Sequence, residues 1–82
     1  MRFTVYSKEG CPFCDQIKLL FDLNEFNYVE YKLDRDFNRE GFYNQFGEGS
    51  TFPQVVLNDQ VNLGGCVNTL KYLQEQDICC NV

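Results

Sequence analysis

Two alternating runs separated by one amphipathic stretch constrain this chain more than any other feature of it. Phe3 and Val5 alternate with Thr4 and Tyr6, and the period-two pattern returns in Tyr28-Val29-Glu30-Tyr31-Lys32-Leu33, where Val29, Tyr31 and Leu33 share one side. Between them, Pro12 suits the first turn of a helix, where a missing N–H removes no hydrogen bond. Ile17, Leu20 and Phe21, joined by Leu19, Leu23 and Phe26, give that helix a broad apolar face over roughly residues 12 to 24. A strand, a helix and a strand in this order cross over right-handed and lay the two strands parallel.

The remainder of the chain extends this unit. Asp34 or Asp36 is placed to cap a second helix carrying Phe42 and Phe46, and Gly47 to end it. Gln54-Val55-Val56-Leu57 and Gln60-Val61-Asn62-Leu63 flank Asn58-Asp59 and read as a hairpin, closed by Gly64-Gly65. Val67, Leu70 and Leu73, three apart, mark a last helix ending near Gln76, with a short C-terminal tail from about residue 77. The order β-α-β-α-β-β-α predicts an α/β fold, a four-stranded mixed sheet with helices on both faces. With 82 residues and no internal repeat or linker, residues 1–82 are expected to form a single domain.

Composition excludes several functions. Seven basic and twelve acidic residues leave a net charge of −5, which repels phosphate backbones and anionic bilayers, so neither nucleic acid nor a membrane surface is an expected partner. Runs such as Leu19-Leu20-Phe21 and Val55-Val56-Leu57 fall far short of the ~20 apolar residues that span a bilayer. Met1 leads directly into a strand pattern without the apolar stretch of a secretory signal, so a cytoplasmic setting is expected. In such a reducing compartment five cysteines (Cys11, Cys14, Cys66, Cys79 and Cys80) point to redox or metal chemistry more than to a disulfide framework.

Cys11-Pro12-Phe13-Cys14 lies between the first strand and the first helix. Zinc would need two more ligands at comparable spacing, but the chain has no histidine and no second Cys-X-X-Cys, so no metal is expected. Thiol–disulfide exchange needs an attacking thiolate and a second thiol within reach of the mixed disulfide. At a helix start, unpaired N–H groups can hydrogen-bond the Cys11 sulfur and favour its charged form, while Cys14, one turn later, is more enclosed and can resolve. Lys8 adds a positive charge; Asp15 opposes the thiolate while suiting the helix N-terminus. Phe13, between the cysteines, should be exposed as one wall of a peptide groove. Phe3, Phe21, Tyr31, Phe37, Phe42, Phe46 and Tyr72 fall on strand and helix periods and are expected to pack. Cys66 is expected to be half-buried at a helix start, and the adjacent Cys79 and Cys80 are poorly placed to pair with each other.

From about Phe3 to Tyr72 the sequence resembles the glutaredoxin family, on three motifs in order: Cys11-Pro12-Phe13-Cys14, Thr51-Phe52-Pro53 and Leu63-Gly64-Gly65-Cys66. The resemblance implies a thioredoxin-like fold and a glutathione-dependent thiol–disulfide oxidoreductase, with Cys11 as nucleophile, Cys14 as resolving thiol and glutathione as reducing co-substrate. It implies a glutathione site at Lys8, Phe13, Arg39, Thr51, Phe52, Pro53, Gly65, Cys66 and Val67. There Phe52 would offer backbone groups like an added strand, and a cis peptide at Pro53 would turn them toward Cys11. Lys8 and Arg39 would hold the glycine carboxylate; Arg35 replaces Arg39 if the extra residue in Gly47-Glu48-Gly49-Ser50 is placed otherwise. The N–H groups of Cys66 and Val67 would bind the γ-glutamyl carboxylate. Two departures stand out: Asn68 where many members carry an acidic residue, implying weaker glutathione affinity, and Phe52 where valine or methionine is usual, implying a narrower groove. The implied partners of a monomer are glutathione and disulfide-containing or glutathionylated proteins. Alternatives are a thioredoxin-reductase-linked donor to ribonucleotide reductase and a glutathione-ligated iron–sulfur carrier.

Overall fold

A computed structural model describes residues 2–78, so Cys79 and Cys80 lie outside the described residues. The elements run β1 (Arg2–Ser7), α1 (Pro12–Leu23), β2 (Asn27–Lys32), α2 (Arg39–Phe46), β3 (Gln54–Leu57), β4 (Val61–Gly64) and α3 (Cys66–Glu75). The sheet order is β2-β1-β3-β4, with β1 parallel to β2 and the other neighbours antiparallel. This is the mixed four-stranded sheet and thioredoxin-like α/β fold that the order of elements and the resemblance imply.

Alternation along β1 sends Phe3 and Val5 to one face and Tyr6 to the other. On the first face, Phe3 and Val5 join Ile17 and Phe21 of α1, Val55, Leu57 and Leu63 of the hairpin, and Leu73 of α3 in one core. Phe3 stacks on Phe21 with ring centroids 4.6 Å apart. Each fully buried aliphatic or aromatic side chain here contributes about 1.5–3 kcal/mol. On the second face Tyr6 meets Phe37 and Phe46 edge-on, at 5.4 and 4.9 Å, and places α2 opposite α1 and α3.

Several local expectations are corrected. The apolar face of α1 is a narrow stripe: Leu19 and Leu23 are exposed, because each sits two residues, about 200° of helix rotation, from Ile17 or Phe21. Tyr31 is exposed on the edge strand β2, and Leu33 lies beyond β2 in an isolated bridge to Phe37. The cap of α2 is Asn38, whose Oδ1 accepts the Gly41 N–H at 2.8 Å, not Asp34 or Asp36. Asp36 instead closes the turn after β2, accepting the Lys32 N–H at 2.9 Å and pairing with Arg35. Gly47 ends α2, at φ 103°.

In the hairpin, Asn58 and Asp59 both take positive φ, 53° and 60°, and Gln60 donates to the Leu57 carbonyl at 3.1 Å. This tight turn, whose hand matches the twist of the flanking strands, absorbs Gln60, so β4 begins one residue later than its sequence pattern. The buried stripe of α3 is Cys66, Thr69 and Leu73, spaced i, i+3, i+7, which leaves Val67 exposed rather than in the core.

Candidate active site

Centrally placed β1, hydrogen-bonded on both flanks, delivers the chain to Cys11. The loop after Ser7 turns at Gly10, whose φ of 70° favours glycine. Cys11 is the N-cap of α1 (φ −107°, ψ 102°), and Pro12 follows at the first helical position. An N-cap side chain faces the free N–H groups of the first turn. Here that side chain is a thiol, and its Sγ accepts the Cys14 N–H at 3.1 Å. Cys11 and Cys14 are joined as a disulfide with Cα atoms 5.2 Å apart, Cys11 5% and Cys14 1% exposed. Both cysteines are buried, Cys14 the more completely.

Between β1, β2 and α1 runs an ionic chain that sequence reasoning missed. Ser7, buried at the end of β1, donates to Glu30 Oε2 at 2.6 Å, and Lys18 of α1 donates to the same oxygen at 2.8 Å. Lys18 also reaches Asp15 at 3.6 Å. Burial pushes the Glu30 carboxyl up, but the hydrogen bonds from Lys18 and Ser7 outweigh it and hold the group below the ordinary glutamate range. The Glu30 hydrogen bond likewise raises Lys18, against the opposing effect of burial. Lys18 follows Cys14 by one helical turn and Glu30 follows Ser7 across the β-α-β crossover, so the only sequence signal was opposite charges on elements expected to pack.

Beside the dithiol lies a groove of about 450 Å³, within the range of small-molecule sites. Phe13, 55% exposed, lines it together with the Thr51-Phe52-Pro53 segment and the Gly65-Cys66-Val67 segment at the start of α3. The Phe52–Pro53 bond is cis, as the resemblance implies. The structure therefore brings seven of the nine residues proposed for glutathione to one groove, and adds Gln54, Gly64 and Asn68. Gly64 takes a φ of 86°, which favours glycine, and Asn68 packs against the space that a Cβ would occupy there.

Lys8 and Arg39 do not line that groove. Arg39 is the exposed first residue of α2, while Arg35 is engaged with Asp36 at 2.8 Å. Lys8 sits half-buried with its Nζ 5.5 Å from the centroid of the Phe52 ring. That ring is drawn onto Phe42 of α2, centroids 4.2 Å apart and planes 13° from parallel. Cys66 is buried, not half-buried, and burial pushes its thiol up. Among the described residues no group of three or more histidine, cysteine, aspartate or glutamate side chains could hold a metal ion, and no helix is long and apolar enough to cross a membrane.

Comparison with known proteins agrees with this geometry. The Glutaredoxin family profile matches residues 3–61. A probable glutaredoxin from Synechocystis is 38% identical over 63 residues, 76% of this chain and 57% of that protein, so the chain spans little more than half the length of that relative. Glutaredoxin 1 from Francisella tularensis, solved with cacodylate, superposes with a TM-score of 0.75 at 26% identity, over 94% of this chain and 95% of that one. A buckwheat glutaredoxin–glutathione complex superposes with a TM-score of 0.71 at 26% identity, over 93% and 71% of the two chains.

Proposed function

This chain belongs to the glutaredoxin family of thiol–disulfide oxidoreductases, and we propose that within it the protein uses glutathione to reduce glutathione mixed disulfides and protein disulfides. The observation that carries this reading is the placement of an N-cap thiol, paired with Cys14, beside a groove lined by Phe13, Phe52 and Pro53. Support for the ligand comes from the buckwheat relative, solved as a glutathione complex.

In the mixed-disulfide route the Cys11 thiolate attacks the glutathione sulfur. The Cys11–glutathione bond forms, and the substrate protein leaves as a thiolate that takes up a proton. A second glutathione thiolate then attacks the bound glutathione sulfur, releasing oxidised glutathione and the Cys11 thiolate. With a protein disulfide, Cys11 attacks one sulfur, the other leaves as a thiolate and takes up a proton, and Cys14 then attacks Cys11 Sγ, forming the Cys11–Cys14 bridge and releasing the first sulfur as a second thiolate. Two glutathiones then reduce the Cys11–Cys14 bridge and leave as oxidised glutathione.

The test is NADPH oxidation coupled through glutathione reductase and glutathione to a small mixed disulfide. Turnover should vanish in Cys11→Ser and survive in Cys14→Ser. Absence of turnover in the wild type and both variants, with the proteins folded and reduced, overturns the reading.

A further inference from the structure

The side chain of Phe52 is engaged on both sides in a way that the exchange chemistry itself does not require. One contact is the stack on Phe42, which is 1% exposed, with Phe37 stacked on both rings at 5.7 and 6.1 Å. The other is the Lys8 ammonium, 5.5 Å from the ring centroid and inside the ~6 Å reach of a cation–π contact. We propose that Phe52 is a positioning residue: its ring, immobilised by Phe42 and Phe37, holds the Lys8 ammonium, so that this charge, three residues before Cys11 in the chain, acts on Cys11 from a fixed place.

The need for such a hold follows from lysine itself. Its ammonium is a compact charge on a flexible four-carbon stem and, left to solvent, samples many rotamers. Lys8 lies on the loop three residues before Cys11, and among the described residues no carboxylate forms an ion pair with it. Glu9 is its neighbour in sequence, and Asp15, in the first turn of α1, is already paired with Lys18. The face of Phe52 is therefore the partner that the fold supplies. A valine or leucine would fill space there but present no ring quadrupole, so aromaticity, rather than bulk, is the property at work.

This inference rests on the reading of Cys11 as the nucleophile, and the test separates the two. The reduced full chain is alkylated with iodoacetamide at a pH below the Cys11 thiolate midpoint, and the rate at Cys11 is read by peptide mass spectrometry. Phe52→Leu should slow alkylation by about twofold, and Phe52→Tyr should restore the wild-type rate. Lys8→Met should also slow it, and adding Phe52→Leu to Lys8→Met should change nothing further, because Phe52 acts through Lys8. Should Phe52→Leu fail to fold, trifluorophenylalanine at position 52 keeps the shape, weakens the quadrupole and should produce the same slowing.

A wild-type rate in Phe52→Leu or the fluorinated protein overturns the inference, as does slowing by Phe52→Leu that persists in the Lys8→Met background. Neither result touches the Cys11 reading, which fails if turnover survives Cys11→Ser or is absent from the wild type.

Discussion

Two helices of this molecule begin with a cysteine, and one residue of offset separates their chemistry. Cys11 occupies the N-cap of α1, so its sulfur looks at the free N–H groups and accepts one of them from Cys14. Cys66 occupies the first helical position of α3, where Gly65 is the N-cap and no side chain caps the helix. Its sulfur belongs to the hydrophobic core, and burial pushes the thiol up. The helix dipole is available at both ends, yet only the N-cap side chain is aimed into it. The surroundings differ in the same direction. Helix α1 is tied at its middle to β1 and β2 through Lys18, Glu30 and Ser7, whereas α3 carries a buried Thr69 hydroxyl with no hydrogen-bond partner.

The sharpest test of this contrast is site-resolved alkylation of the reduced protein near neutral pH. Cys11 should react at least about 100-fold faster than Cys66, which should label only on unfolding. Comparable rates would break the comparison. Next in size, Glu30→Gln should destabilise the fold by about 1–2 kcal/mol near neutral pH, read from the denaturant midpoint. The sign follows from the two shifts. Glu30 is lowered, so its contribution is full above the ordinary glutamate value and is lost as pH falls through the folded-state value. Lys18 is raised, so its contribution is full below the ordinary lysine value and is lost as pH rises through the folded-state value. Glu30→Gln should therefore flatten the acid limb of the stability profile; an unchanged limb would show that the network does not anchor α1.

On the α3 side, Thr69→Val removes an unpartnered buried hydroxyl at nearly constant shape and should stabilise by up to about 1 kcal/mol. Destabilisation of that size would mean that the hydroxyl is satisfied. The smallest effect is expected for Asp15→Asn. This exposed carboxylate opposes the thiolate but is already compensated by Lys18, so Cys11 alkylation should quicken by about twofold or less. A slower rate would reverse the sign assigned to Asp15.

Features with a local cause were legible in the sequence: the alternation of β1, Pro12 after Cys11, Gly47 after α2, and the Asn58-Asp59 turn. The cysteine pair was legible because its spacing and its place between a strand and a helix are both sequence properties. Where competing local choices existed, the sequence did not decide between them. Asp34, Asp36 and Asn38 can each cap a helix, and Asn38 does so because Asp36 is taken up by the turn after β2. Val67, Leu19 and Leu23 are apolar yet exposed, because the stripe that faces the core depends on where each helix starts on the sheet. Gln54 and Gly64 adjoin groove residues in the chain, but the pairing of β1, β3 and β4 is what brings their two segments together, and the Lys18–Glu30 pair forms only through the parallel crossover. Non-local register is what the chain order leaves open.

The ordering β2-β1-β3-β4 also bears on how copies of this chain meet one another. Its outer strands are the places where a further strand can add, and long flat edges are templates for aggregation. Here one edge, β4, has four residues and is held by a ladder that shifts register between Val55 and Val56; the other, β2, carries Glu30 and Lys32. Short length and irregular pairing blunt the first edge, and charge blunts the second. The strand that leads to the reactive thiol lies between them, shielded from intermolecular pairing by its neighbours on both sides.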